Sequence, residues 1–195
     1  MSRKSTIQRD TNETKISVSI DLDGNGTFDI VTGIGFFDHM LEQLSRHSLI
    51  DMTIKCNGDT HIDFHHSVED VAITLGQALR EAIGDKKGIE RYGFFLLPMD
   101  DTLTEVAVDF SGRPYYKSNL KEVVKGEFPS FNFELVDEFL YALSYSAMMN
   151  IHLNVKYGNN GHHIIESTFK GLARAIRNAV EKNSRITLNT TKGVL

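Results

Sequence analysis

Cysteine is nearly missing from this chain. Cys56 is the sole one in 195 residues, which excludes a disulfide framework and a thiolate metal site and fits a reducing compartment. Long apolar runs are missing too, since none reaches the ~18 residues that a membrane span requires. The opening MSRKSTIQRDTNETK is polar throughout and lacks the apolar centre of a secretion signal, so no targeting segment is expected. Positive charge is not in excess either. Lys and Arg number 21 against 26 Asp and Glu, a formal net charge of −5, whereas a nucleic-acid binder would carry a basic face. The remaining composition, 41% hydrophobic and 24% charged, is ordinary for a globular protein. These absences predict a cytoplasmic protein with neither nucleic acid nor membrane as partner.

What is present is a repeat. Such a length suits one domain, or two related halves sharing a core. The segment Asp38-His39-Met40-Leu41-Glu42-Gln43-Leu44-Ser45 resembles Asp137-Glu138-Phe139-Leu140-Tyr141-Ala142-Leu143-Ser144, displaced by 99 positions. An alternating stretch follows each: Met52, Ile54 and Cys56, then Ile151, Leu153 and Val155, the period of a strand with one buried face. A turn then leads into His65-His66-Ser67-Val68-Glu69 and into His162-His163-Ile164-Ile165-Glu166, now displaced by 97. Beyond these pairs, Leu75, Ala78, Leu79, Ala82 and Ile83 match Leu172, Ala175, Ile176, Ala179 and Val180 at the spacing of one helical face.

Each half therefore reads as helix, strand, turn and a second helix opening with His-His-x-x-Glu. An alternating strand precedes each unit, at Ile16–Ile20 and Val106–Phe110. The expected fold is an α/β (α+β) sandwich, internally duplicated, each half a mixed or antiparallel sheet with helices on one face. Residues 1–92 form the first half-repeat and 93–195 the second, the boundary falling between Gly88 and Pro98. Together they make one compact catalytic domain.

A lone histidine on an apolar helix is ordinarily a packed side chain. His-x-x-Glu is different, because a carboxylate one turn from an imidazole projects from the same face. The adjacent histidine points about 100° away around the helix, so the pair can serve two metals. Packing does not demand this unit twice at equivalent positions. His39 falls opposite Glu138 in the repeat, and both residue types bind metal. The candidate ligands are thus His39, His65, His66 and Glu69, then Glu138, His162, His163 and Glu166. Imidazole and carboxylate without thiolate suit Mn²⁺, Fe²⁺ or Zn²⁺ alike. His61 and His152 read as a surface and a structural histidine.

At these residues the chain is similar to one family, imidazoleglycerol-phosphate dehydratase, essentially from Arg9 to Leu195. The motifs are Arg9-Asp10-Thr11-Asn12-Glu13-Thr14, Gly35-Phe36-Phe37-Asp38-His39-Met40-Leu41, His65-His66-Ser67-Val68-Glu69-Asp70, Ser111-Gly112-Arg113-Pro114, His162 through Lys170, and Lys192-Gly193-Val194-Leu195. The resemblance implies dehydration of imidazole glycerol phosphate to imidazole acetol phosphate in histidine biosynthesis. It also implies two Mn²⁺ per active site and a homo-oligomer of 24 subunits with sites between neighbours. By position, His39, His65, His66, Glu69, His162, His163 and Glu166 match the family's ligands. Two departures stand out. Glu138 replaces a frequent histidine ligand, and Thr190-Thr191-Lys192 replaces Ser-Ser-Lys.

The proton to be removed sits on carbon, so charge stabilisation at the substrate's imidazole is the main task and a carboxylate moves protons. The resemblance gives Glu13 that role first, with Glu69 and Glu166 as catalytic alternatives. It assigns the phosphate to Arg91, Arg113, Lys170, Thr190, Thr191 and Lys192. Gln43, one turn on from His39, and His47, just past that helix, are further substrate contacts. Two other readings use the same donors: a binuclear metallohydrolase, and a non-enzymatic shell organised by metal.

Overall fold

Period-two alternation builds the strands and period-3.6 stripes the helices, and each half repeats one order. The computed structural model describes residues 3–124 and 131–193. The first half runs β1 (Lys4–Asp10), β2 (Thr14–Asp21), β3 (Phe28–Val31), α1 (Gly35–Ser48), β4 (Asp51–Gly58) and α2 (His65–Ile83). The second runs β5 (Tyr92–Met99), β6 (Thr102–Asp109), β7 (Tyr115–Lys117), a short α3 (Leu120–Val123), α4 (Phe133–Ala147), β8 (Asn150–Tyr157) and α5 (Gly161–Val180).

Each half forms a four-stranded sheet, ordered β1-β2-β4-β3 and β5-β6-β8-β7. Three strands pair antiparallel, while β3 and β7 join β4 and β8 in parallel. The duplicated sandwich is as the sequence predicts, and of the mixed or antiparallel alternatives the sheets are mixed. The hairpin partners β1 and β5 and the short edge strands β3 and β7 are additions. β3 and β7 carry 4 and 3 residues, too few for a period to declare itself.

The inner face of each sheet carries Ile16, Val18, Ile20, Met52 and Ile54, or Val106, Val108, Ile151, Leu153 and Val155, all buried. α2 lies on the first sheet and crosses α4; α5 lies on the second and crosses α1. The two halves thus share one core between the sheets. Burying a Leu or Phe side chain there stabilises by roughly 1.5–3 kcal/mol. Gly76 sets the first crossing, because a Cβ there would meet Ser146 Cβ at 2.6 Å and Ala147 N at 2.9 Å.

The duplication extends to backbone detail. α1 and α4 both end on a left-handed non-glycine residue, Leu49 at φ 62° and Met148 at φ 54°. Ser45 Oγ donates to the Ile50 carbonyl and Ser144 Oγ to the Met149 carbonyl, each at 2.7 Å. These turns return the chain from α1 into β4 and from α4 into β8, the strands that precede the helices opening with the histidine pairs.

Candidate metal centre

α1 packs along α5. His39, Gln43 and His47 recur every four residues on α1, beside Glu166, Lys170 and Arg174 at the same spacing on α5. Charges at Lys170, Arg174 and Glu166 act on His47, and burial chiefly holds its pKa below the ordinary 6.5. At the head of this stripe, Glu166 Oε2 lies 2.8 Å from His162 Nε2 and 3.4 Å from His39 Nε2. Donor atoms of these three residues all fall within 4.8 Å of one another. Lys170 Nζ holds the other carboxylate oxygen at 2.5 Å. Burial alone would raise the Glu166 pKa, but Lys170 and His162 outweigh it and the net shift is downward. An ionised carboxylate and two imidazoles at one point are a fitting donor set for a divalent transition metal.

The equivalent place in the first half is looser. His65 Nε2 stands 3.9 Å from Glu69 Oε2. Glu138 and His65 line a common cavity of about 1000 Å³ bounded by the start of α2, β7, α3 and α4. In both halves the glutamate meets the first histidine of its pair, four residues away, and not the second, three residues away as His-x-x-Glu reads. The geometry follows the longer spacing because side chains at i and i+4 stack most directly on one face.

The second histidines turn elsewhere. His66 Nδ1 lies 2.9 Å from Asp59 Oδ2, and its Nε2 is 3.7 Å from Glu13 Oε1. The Asp59 hydrogen bond raises the His66 pKa above the ordinary 6.5. His163 Nδ1 lies 2.6 Å from Asp101 Oδ1, with Asp100 Oδ2 3.7 Å from Nε2. Asp101 also accepts the backbone N–H groups of Asn159 and Asn160. With His163 as the largest influence, these bonds lower its carboxyl pKa to about 2.

Arg91, Arg113, Thr190, Thr191 and Lys192 gather around a separate cavity of about 540 Å³. Arg91 is committed within the chain, donating to both Asp109 oxygens at 2.7 and 3.1 Å and to the Asn189 carbonyl at 2.8 Å. It thereby tethers the segment that carries Thr190 to Lys192. Lys170 is not in this cavity; its cation sits on Glu166. Val194 and Leu195 of the terminal motif lie outside the described residues.

Most of the predicted residues therefore fall in five places: the closed cluster, the open one, His66 with Glu13, His163 with Asp101, and the cationic cavity; Gln43 and His47 lie apart, further along α1. Asp59 and Asp101 were not legible as site residues. Asp59 reads as a turn former, and Asp101 gains meaning only once strand register is known.

Fold and donor set define a class, a duplicated α/β enzyme with a site fitted to a divalent metal. The family model for imidazoleglycerol-phosphate dehydratase matches residues 32–176. The imidazoleglycerol-phosphate dehydratase of Cereibacter sphaeroides is 54% identical over 195 residues, covering 99% of this chain and 100% of the relative. That of Brucella suis is also 54% identical, over 99% of this chain and 96% of its own. The crystal structure of the Staphylococcus aureus enzyme superposes with a TM-score of 0.82 at 38% identity, covering 92% of this chain and 99% of that one. The Pyrococcus furiosus enzyme, in complex with (S)-C348, gives 0.85 at 37% identity over 97% and 100%. The chain belongs to the imidazoleglycerol-phosphate dehydratase family, whose members are hydro-lyases.

Proposed function

We propose that this chain eliminates water from imidazole glycerol phosphate to give imidazole acetol phosphate, a step of histidine biosynthesis, with two Mn²⁺ per active site. The observation that carries the reading is the closed His39–His162–Glu166 cluster, matched in the other half-repeat by an open set of the same donor types. His39, His162 and Glu166 would hold one metal and His65, Glu69 and Glu138 the other. His66 and His163 would complete these sites from a neighbouring subunit, because each points away from its own half's cluster. That division supports a homo-oligomer, 24 subunits by the family's habit, with sites between subunits. Residues 1–92 and 93–195 act as two half-repeats of one catalytic domain. Among the described residues no helix is long and apolar enough to cross a membrane, and a cytoplasmic location fits a biosynthetic enzyme.

Bound metals would supply Lewis-acid stabilisation of negative charge on the substrate's imidazole. The chain's own residues do the rest. Arg113, Thr190, Thr191 and Lys192 bind the phosphate by charge-assisted hydrogen bonds, with Arg91 holding their segment in place. Gln43 and His47 orient the substrate along α1, and Lys170 balances charge at Glu166. Glu13, whose side chain is 52% exposed and faces His66, takes the proton from carbon. That C–H bond breaks, the neighbouring C–O bond breaks with loss of hydroxide, and the proton completes the departing water. The enol left behind becomes the ketone. Glu69 and Glu166 remain as alternative proton carriers. Metal analysis of the native protein, its mass in solution with and without chelator, and turnover of imidazole glycerol phosphate test the reading together. Two Mn²⁺ per subunit, a large particle and dehydration are expected. A stable monomer near 22 kDa in Mn²⁺, or no turnover, would overturn it.

A further inference from the structure

The strand registers match the halves through a spacing that the histidine motifs do not display. In the first sheet Ile16, Val18 and Ile20 pair with Cys56, Ile54 and Met52; in the second Val106 and Val108 pair with Leu153 and Ile151. Val18 thus corresponds to Val106 and Ile20 to Val108. On the other side Arg9 pairs with Ile16, as Leu97 pairs with Thr104. All these correspondences are 88 positions apart, and Thr14 then falls on Thr102, both 1% exposed. Glu13, the last residue of the β1–β2 turn, is therefore the structural counterpart of Asp101, the last residue of the β5–β6 turn.

The two counterparts do different things. Asp101 accepts from His163 Nδ1 at 2.6 Å, whereas Glu13 stands 3.7 Å from the opposite ring nitrogen of His66. At His66 the Nδ1 partner is Asp59, from the loop before α2, at 2.9 Å. The other oxygen of Asp59, Oδ1, is buried with no hydrogen-bond partner among the described residues, a costly arrangement that packing does not require. An ionised carboxylate only accepts, so in both rings Nδ1 carries the hydrogen and Nε2 of the neutral imidazole keeps its lone pair.

We propose that Asp59 and Asp101 are positioning residues that fix His66 and His163 with Nε2 presented for metal, and that Asp59's takeover of this task in the first half leaves Glu13 free to carry protons. The inference rests on the proposed ligand roles of His66 and His163. A carboxylate behind an imidazole both orients the ring and raises its basicity, and losing such a partner typically costs about 10–100-fold in metal affinity.

Titration calorimetry with Mn²⁺ on the full-length protein tests this with Asp59→Asn, Asp101→Asn, Glu13→Gln and His163→Ala. Melting of each variant in chelator gives the control for folding. Asp59→Asn and Asp101→Asn should each weaken Mn²⁺ binding by about 10–100-fold while melting in chelator stays at the wild-type temperature. Glu13→Gln should bind Mn²⁺ as tightly as wild type. Unchanged affinity in both Asp variants, with His163→Ala weakened, overturns the positioning role and spares the ligand assignment. Unchanged affinity in His163→Ala overturns both. Weakening in Glu13→Gln equal to that in Asp101→Asn overturns the division of labour. A fall in melting temperature in chelator matching the loss in Mn²⁺ assigns the aspartates to fold stability and overturns the proposal.

Discussion

The second half-repeat closes its donor cluster and the first leaves its own open. Glu166 meets His162 at 2.8 Å, whereas Glu69 stands 3.9 Å from His65. One reason lies a turn further along each helix. Lys170 grips Glu166, and the repeat position in α2 is Ile73, which offers no charge to hold Glu69. Another lies across the helical layer, where His39 contributes an imidazole to the closed cluster and its counterpart is the carboxylate Glu138. The helix crossings differ as well. Gly76 lets α2 approach the α4 backbone near Ser146, while the matching positions at the α5–α1 crossing are Ala173 and His47. Duplication has kept the positions and varied what surrounds them, so near-identical motifs acquire different electrostatics.

The largest expected effect separates the two hairpins. Glu13→Gln should slow dehydration by about 10²–10⁴-fold while metal content and substrate affinity hold, the behaviour of a lost acid or base. Steady-state rates beside a substrate-binding isotherm check it. Normal turnover would remove Glu13 from the chemistry and send the search to Glu69 and Glu166.

Next come the proposed ligands. His65→Ala and His162→Ala should each remove most activity and weaken Mn²⁺ binding comparably, because losing one ligand from a shared site is costly. Elemental analysis after dialysis, alongside rates, breaks or sharpens the comparison. If His65→Ala keeps full metal and rate, the open set is not a metal site and the halves differ in kind.

A smaller effect tests the crossings. Gly76→Ala should destabilise the fold by about 1–3 kcal/mol through overpacking against Ser146 and Ala147. A denaturant midpoint equal to wild type would mean that α2 and α4 can separate without loss. The mildest change is expected for Glu138→Gln, which keeps an oxygen donor and removes one charge. A modest weakening of one Mn²⁺, read by calorimetry, would fit, and a loss as deep as that of His162→Ala would make Glu138 an equal ligand.

The sequence alone determined the duplication, the helices with their histidine pairs, the α/β sandwich and the family. Such features follow from local periodicity and from motif spacing that survives in one dimension. The family resemblance also marked Arg91, Arg113, Lys170, Thr190, Thr191 and Lys192 as a set, and the fold gathers all but Lys170 around one cavity. Tertiary structure decided the rest. Which histidine meets the glutamate depends on side-chain direction around a helix, and the alternatives differ by a single residue of spacing. That Asp59 and Asp101 sit behind His66 and His163 depends on a loop and a hairpin brought against helix N-termini, and carboxylates in turns look alike until that contact forms. The match of Glu13 to Asp101 needed strand register, because hydrogen bonding between distant strands fixes correspondence where residue identity has drifted.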